Sequence, residues 1–246
     1  MKMKIRFLGT ADAFSSGGRN QSAILVECAG ATFLLDCGPT TLTEMKRSGI
    51  APDSLDFALI SHAHGDHCAG IPFLFLEYEY MTERDRPFSI LGPPGLEDRI
   101  ERGTTAFYPT LAPERRRFVS HYHALSPQVP FEIEGIRILP YLARHVADFP
   151  CYGYRLEVEG KTLAFTGDTG WTEELVRLCS GVDLLITECT FLEASIDIHL
   201  SYEEIAQHRD RLAAKRILLT HLGMDVRERE ADIPLPLADD GLVIEL

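Results

Sequence analysis

Within six residues the sequence places three imidazoles and a carboxylate, His62, His64, Asp66 and His67, in the spacing His-x-His-x-Asp-His. Imidazole nitrogen and carboxylate oxygen are the donors that zinc and similar divalent ions accept in hydrolytic sites. Three histidines and an acid this close would be costly to pack against one another unpaired. The stretch therefore reads as part of a metal site. The apolar run Ala58-Leu59-Ile60 precedes it, which puts the cluster at the carboxyl end of a strand. Ligand sites of α/β sheets gather at that edge.

Three further strand ends carry the same chemistry. His145 follows the run 136–142, Asp168 follows Leu163-Ala164-Phe165, and His221 ends Leu218-Leu219-Thr220. Strand ends along one edge can converge in space while distant in sequence. His62, His64, Asp66, His67, His145, Asp168 and His221 exceed one tetrahedral site. They suit two ions with a bridging carboxylate and a bridging water.

The elements that must position these residues follow from apolar patterning and turn chemistry. Strands are expected at 4–8, 21–27, 32–36, 55–61, 88–91, 131–133, 136–141, 153–157, 163–166, 184–187 and 216–220, with 241–246 closing a sheet edge. A turn at 29–31 joins the second strand to the third, and Gly135 and Gly160 mark hairpins. Helices are expected at 40–48, closed by Gly49, and at 69–81, 96–107 and 173–179. A last helix, 201–214, opens on a capping box of Ser201 and Glu204. The order falls into two halves and implies two sheets packed face to face with helices outside, an α/β chain forming one domain over 1–246.

Composition narrows the function. Hydrophobic residues make up 45% and charged residues 25%, which suffices for a sizeable core. The amino-terminal apolar stretch is too short for a signal peptide, and no run approaches the roughly 20 apolar residues of a membrane span. A net charge of −13 argues against extensive phosphate-backbone binding. It leaves room for a small phosphate ester, because metal ions add local positive charge. The six cysteines are scattered with no C-x-x-C pair and read as buried free thiols in a reducing, cytoplasmic setting. Arg115-Arg116-Arg117 reads as a solvated basic face, and His121, His123 and His208 as surface residues.

The chain resembles the metallo-β-lactamase-fold hydrolases over nearly its whole length, through His-x-His-x-Asp-His and the distal His145, Asp168 and His221. Within them it is most similar to ribonuclease Z and to the cyclic-phosphodiesterase branch of phosphonate breakdown. Phe7-Leu8-Gly9-Thr10, Arg19-Asn20, Leu35-Asp36-Cys37-Gly38, Gly92-Pro93-Pro94-Gly95, Gly167-Asp168-Thr169 and Glu188-Cys189-Thr190-Phe191 carry that likeness. The resemblance implies a four-layer αββα sandwich and a homodimer, for which the apolar region 71–81 offers a surface. It assigns His62, His64 and His145 to one ion and Asp66, His67 and His221 to the other, with Asp168 bridging. The ions would be Zn²⁺, with Mn²⁺ and Fe²⁺ also accommodated by these donors.

Two such ions would activate a shared water and neutralise charge on an attacked phosphoryl oxygen. Asp66 would orient that water or take its proton. His199 stands where ribonuclease Z relatives carry a histidine, and would protonate the leaving group or hold a phosphate oxygen. Asp36 and Glu188 are candidates to orient ligand imidazoles.

One departure matters. Ribonuclease Z carries a long arm for transfer RNA between the positions matched by His145 and Asp168, where this chain has only 146–167. The cysteine-based structural zinc site of the phosphonate branch also has no counterpart. The expected activity is therefore hydrolysis of a small phosphodiester such as a cyclic nucleotide or cyclic ribose phosphate. Alternatives are a lactone, thioester or sulfate ester, transfer-RNA 3′ processing, and a non-hydrolytic role in cofactor biosynthesis. The diiron relatives carry an acid where this chain has His64, which argues against redox chemistry.

Overall fold

A computed structural model describes residues 3–28 and 30–246. Met1 and Lys2 of the amino-terminal stretch, and Ala29 of the turn expected at 29–31, lie outside the described residues. The strands are β1 (Lys4–Gly9), β2 (Ala23–Cys28), β3 (Ala31–Leu35), β4 (Phe57–Leu59), β5 (Phe88–Gly92), β6 (Ser120–Ala124) and β7 (Phe131–Ile133). They continue as β8 (Ile136–Leu142), β9 (Tyr152–Val158), β10 (Lys161–Phe165), β11 (Leu184–Cys189), β12 (Ile217–Leu222) and β13 (Val243–Glu245). The helices are α1 (Thr41–Arg47), α2 (Gly65–Cys68), α3 (Ile71–Tyr80), α4 (Leu96–Phe107), α5 (Glu173–Leu178), α6 (Tyr202–Gln207) and α7 (Met224–Glu228).

The strands form one sheet in the order β13-β1-β2-β3-β4-β5-β6 and another in the order β12-β11-β10-β9-β8-β7. Alternation within each strand builds the layers. Phe57 and Leu59 of β4 enter the core between the sheets, while Ala58 and Ile60 face the helices. Leu163 and Phe165 of β10 likewise meet the intersheet core, and Ala164 the other side. Three apolar clusters result, one between the sheets and one beneath each set of helices. The architecture is the expected αββα sandwich.

Sheet direction concentrates the chemistry. β3, β4, β5 and β6 run parallel, so Asp36 and His62 leave the same edge of the first sheet. In the second, β10, β11 and β12 are parallel, and β8 shares their direction because both β8 and β10 pair antiparallel with β9. Asp168, His221 and His145 thus leave one edge. The chain between His145 and Asp168 contains only the β9–β10 hairpin, without an extension.

Several expectations change. The expected 201–214 helix ends at Gln207, because Arg209–Arg211 tightens into a 3₁₀ turn, although Ser201 and Glu204 form the capping box as read. Strand β6 was not anticipated: Ser120-His121-Tyr122-His123-Ala124 lacks the apolar alternation of a half-buried strand and is held as an edge by pairing with β5. The basic run is not a uniformly solvated face. Arg116 is buried, paired with Glu101 at 2.7 Å and stacked over Phe75 at 4.4 Å, while Arg115 and Arg117 are exposed. His121 is exposed, but His123 packs on Phe131 and His208 stacks on Trp171 at 4.1 Å, leaving both half-buried. All six cysteines are free and buried.

Candidate metal centre

The His62–His67 motif is a loop entering a single helical turn. That turn packs directly on the backbone after β3: a side chain at Gly70 would come within 2.2 Å of the Gly38 carbonyl oxygen, and one at Gly38 within 2.5 Å of that of Asp66. The close approach allows Cys37 N–H to donate to the His67 carbonyl at 2.7 Å and Gly70 N–H to the Cys37 carbonyl at 2.8 Å. Asp36 has φ of +58°, a left-handed conformation unusual for a non-glycine residue. Its carboxylate lies beneath the motif.

All seven sequence candidates meet in space. His62, His64 and His145 form one group; Asp66, His67, Asp168 and His221 form another. In the first group, His62 Nε2 and His145 Nε2 each lie 3.0 Å from His64 Nδ1. In the second, His67 Nε2 is 3.1 Å from Asp66 and 3.3 Å from Asp168, and His221 Nε2 is 3.4 Å and 3.5 Å from the same carboxylates. Tetrahedral donors at zinc distances stand about 3.3 Å apart, so both groups fit an ion of that size. Asp168 Oδ2 is 3.9 Å from both His62 Nε2 and His145 Nε2, which places this carboxylate between the groups.

The unpaired atoms agree with the fit. His67 Nε2 and Asp168 Oδ1 are buried without a hydrogen-bond partner. Burial alone would lower the His67 pKa, yet Asp168 and Asp36 raise it well above the usual value. Burial would likewise raise the Asp66 pKa, but the adjoining imidazoles of His221 and His67 hold it well below the carboxylate range. The cluster calls for positive charge where the lone pairs converge, and a divalent cation meets that need.

Four imidazoles are turned by partners on their outer nitrogen. His67 Nδ1 donates to Asp36 at 2.6 Å and His145 Nδ1 to the Ile198 carbonyl at 3.0 Å. Ser61 Oγ gives its proton to Asp36 and therefore accepts from His62 Nδ1 at 3.0 Å. Thr190 Oγ1 gives its proton to Glu188 at 2.6 Å and accepts from His221 Nδ1 at 3.0 Å. Each arrangement leaves Nε2 as an inward lone pair. Asp36 thus orients a candidate ligand as anticipated. Glu188 does not: it bonds His199 Nδ1 at 3.0 Å and reaches His221 only through Thr190. Ser61 and Thr190 were not singled out in the sequence, since a lone hydroxyl beside a histidine is too common to signal a role.

His199 joins the cluster, 4.7 Å from His145 ring to ring and nearly parallel to His221 at 5.9 Å. Burial would lower its pKa, but Glu188 outweighs that effect and raises it to about 9.

The two sheets, the shared strand-end edge and this donor set define a metal-dependent hydrolase of the metallo-β-lactamase fold. Ribonuclease Z of Anoxybacillus flavithermus is 26% identical over 280 residues, covering 89% of this chain and 86% of the relative. Human tRNase Z, short form, has a TM-score of 0.80 at 29% identity, covering 98% of each chain. The metallo-β-lactamase fold protein YhfI of Bacillus subtilis also has a TM-score of 0.80, at 22% identity over 100% of this chain and 99% of its own. The chain belongs to the anti-Pycsar protein Apyc1 family, whose model matches residues 3–235.

Asp36→Asn keeps the shape of the side chain but removes the charge that holds His67 and Ser61. It is expected to lower metal affinity about 10- to 100-fold while the circular dichroism spectrum stays unchanged. Competition with a chromophoric chelator measures this, and an unchanged affinity would contradict the role given to Asp36.

Proposed function

We propose that this protein is a dinuclear phosphodiesterase acting on a small phosphodiester, such as a cyclic nucleotide or cyclic ribose phosphate. The observation that carries the reading is Asp168, whose carboxylate stands between a three-histidine group and a group of Asp66, His67 and His221. His62, His64 and His145 would hold one ion and Asp66, His67 and His221 the other, with Asp168 shared. When bound, two Zn²⁺, Mn²⁺ or Fe²⁺ ions supply an activated water and neutralise charge on the phosphoryl oxygens.

The remaining chemistry falls to the chain. Asp66 orients the attacking water and takes up its proton. Glu188 engages His199 Nδ1, so Nε2 is the nitrogen that delivers a proton to the leaving oxygen. The small substrate is supported by the bare β9–β10 hairpin and the net charge of −13. A second reading, 3′ processing of transfer RNA, is favoured by the ribonuclease Z relatives. A cytoplasmic setting is supported by six free, buried thiols. No helix among the described residues is long and apolar enough to cross a membrane.

A homodimer is supported by apolar surface on α3, the residue after it and α4, where Phe73, Tyr80, Met81 and Phe107 are 39%, 53%, 70% and 78% exposed. Light scattering is expected to give a dimer, and Met81→Glu with Phe107→Glu a monomer. A wild-type monomer would remove this part of the proposal.

The central test is turnover of cyclic and linear phosphodiesters, a lactone, a sulfate ester and precursor transfer RNA, with metal content measured in parallel. Small phosphodiesters are expected to be cleaved and the other classes not. Fully metallated protein active only on transfer RNA or on another ester class would overturn the reading. Asp168→Ala is expected to lose metal and activity together; two ions retained per chain would contradict a shared carboxylate.

His199→Ala is expected to keep its metal and lose about 10²- to 10⁴-fold in kcat on alkoxide leaving groups. The loss should be much smaller on p-nitrophenyl esters, whose leaving group needs no proton. Equal losses on both would assign His199 to phosphate binding.

A further inference from the structure

Arg99 differs from the arginines around it. Arg144 is paired with Asp197, Arg19 with Asp239 and Arg102 with Asp98. Arg99 instead sits over an aromatic ring, its guanidinium carbon 4.3 Å from the centroid of Phe149. Phe149 is in turn nearly parallel to His62, at 17° and 6.3 Å, and edge-on to His64 at 5.3 Å. A contiguous column of rings and guanidinium runs from the candidate metal ligands to α4, across the mouth between the two sheets.

Arg99 remains exposed in spite of this contact. It forms a wall common to two cavities whose linings both include Ala63, the residue between His62 and His64. One is a slot of about 260 Å³ walled by Pro93, Pro94 and Phe149; the other is a groove of about 850 Å³ that includes Pro72, Phe73 and Tyr108. A guanidinium is planar and delocalised, so one face can rest on a ring while the other receives a second ring. Asp98 borders both cavities and Asp148 the slot, an acidic setting that disfavours a second anionic group. A flat heterocycle meets no such penalty, and the apolar walls suit it.

We propose that Arg99, braced by Phe149, is a specificity-determining residue that stacks the base of a nucleoside phosphodiester whose phosphate lies at the metal centre. The proposal rests on the phosphodiesterase reading above and specifies the substrate's organic part. Stacking uses the face of the base, so all four common bases should be accepted alike. Phe149 acts as a positioning residue, holding the guanidinium plane beside the cleft.

The test compares the zinc-loaded wild type with Arg99→Ala and Arg99→Lys, using calorimetric binding of AMP, CMP, GMP and UMP, with ribose 5-phosphate as the base-free reference. Turnover of the matching cyclic nucleotides is measured alongside. Arg99→Ala is expected to weaken all four nucleotides about tenfold and ribose 5-phosphate less than twofold. Arg99→Lys, which keeps the charge but loses the plane, should resemble the alanine variant. Equal weakening of ribose 5-phosphate, rescue by lysine, no effect on the nucleotides, or no nucleotide binding by the wild type would each overturn the stack. Nucleotide binding that depends on Arg99 without cleavage of any phosphodiester would leave the stack standing and remove the proposed activity. Cleavage of cyclic nucleotides indifferent to Arg99 would do the reverse.

Discussion

A single buried carboxylate constrains most of this molecule. Asp168 is 3% exposed and has nitrogens of His62, His67, His145, His199 and His221 all within 3.9 Å. An ionised carboxylate survives in such a place only if positive charge is supplied at short range. Imidazoles alone meet that need awkwardly, since each must gain a proton against the penalty of burial. Cations shared with the surrounding donors meet it fully. The requirement explains why strand ends from both sheets are brought to one edge, and why the turn after β4 packs so closely on the backbone after β3.

Orientation is a separate demand from proximity. Asp36, Ser61, Thr190 and the Ile198 carbonyl each occupy the outer nitrogen of a different imidazole. The conformational entropy of four rings is thereby lost on folding, before any ligand arrives. Asp36 serves two of these links, directly to His67 and through Ser61 to His62. Its left-handed backbone is the cost of aiming one carboxylate at both.

Much of this was legible in the amino-acid order. The seven donors stand out because each follows an apolar run that can only be a buried strand, and because three of them share one short motif. The capping box at Ser201 and the glycine hairpins were legible for the same reason: their chemistry is local. What stayed hidden depends on distant packing. Strand β6 has no apolar alternation and exists through its pairing with β5. Arg116 looks like its exposed neighbours until Glu101 and Phe75 close around it. Glu188 could be recognised as an orienting group by type, but its partner could not, since His199 reaches it from eleven positions away through an irregular loop.

The sandwich is also a joint. The chain up to β6 contributes His62, His64, Asp66 and His67, and the chain from β7 to β12 contributes His145, Asp168 and His221. Neither half carries either donor group in full, because His145 completes the first group and Asp168 with His221 completes the second. Metal held in this architecture would therefore act as a rivet between two half-molecules. The mechanical integrity of the seam and the chemistry performed there would then share the same bonds.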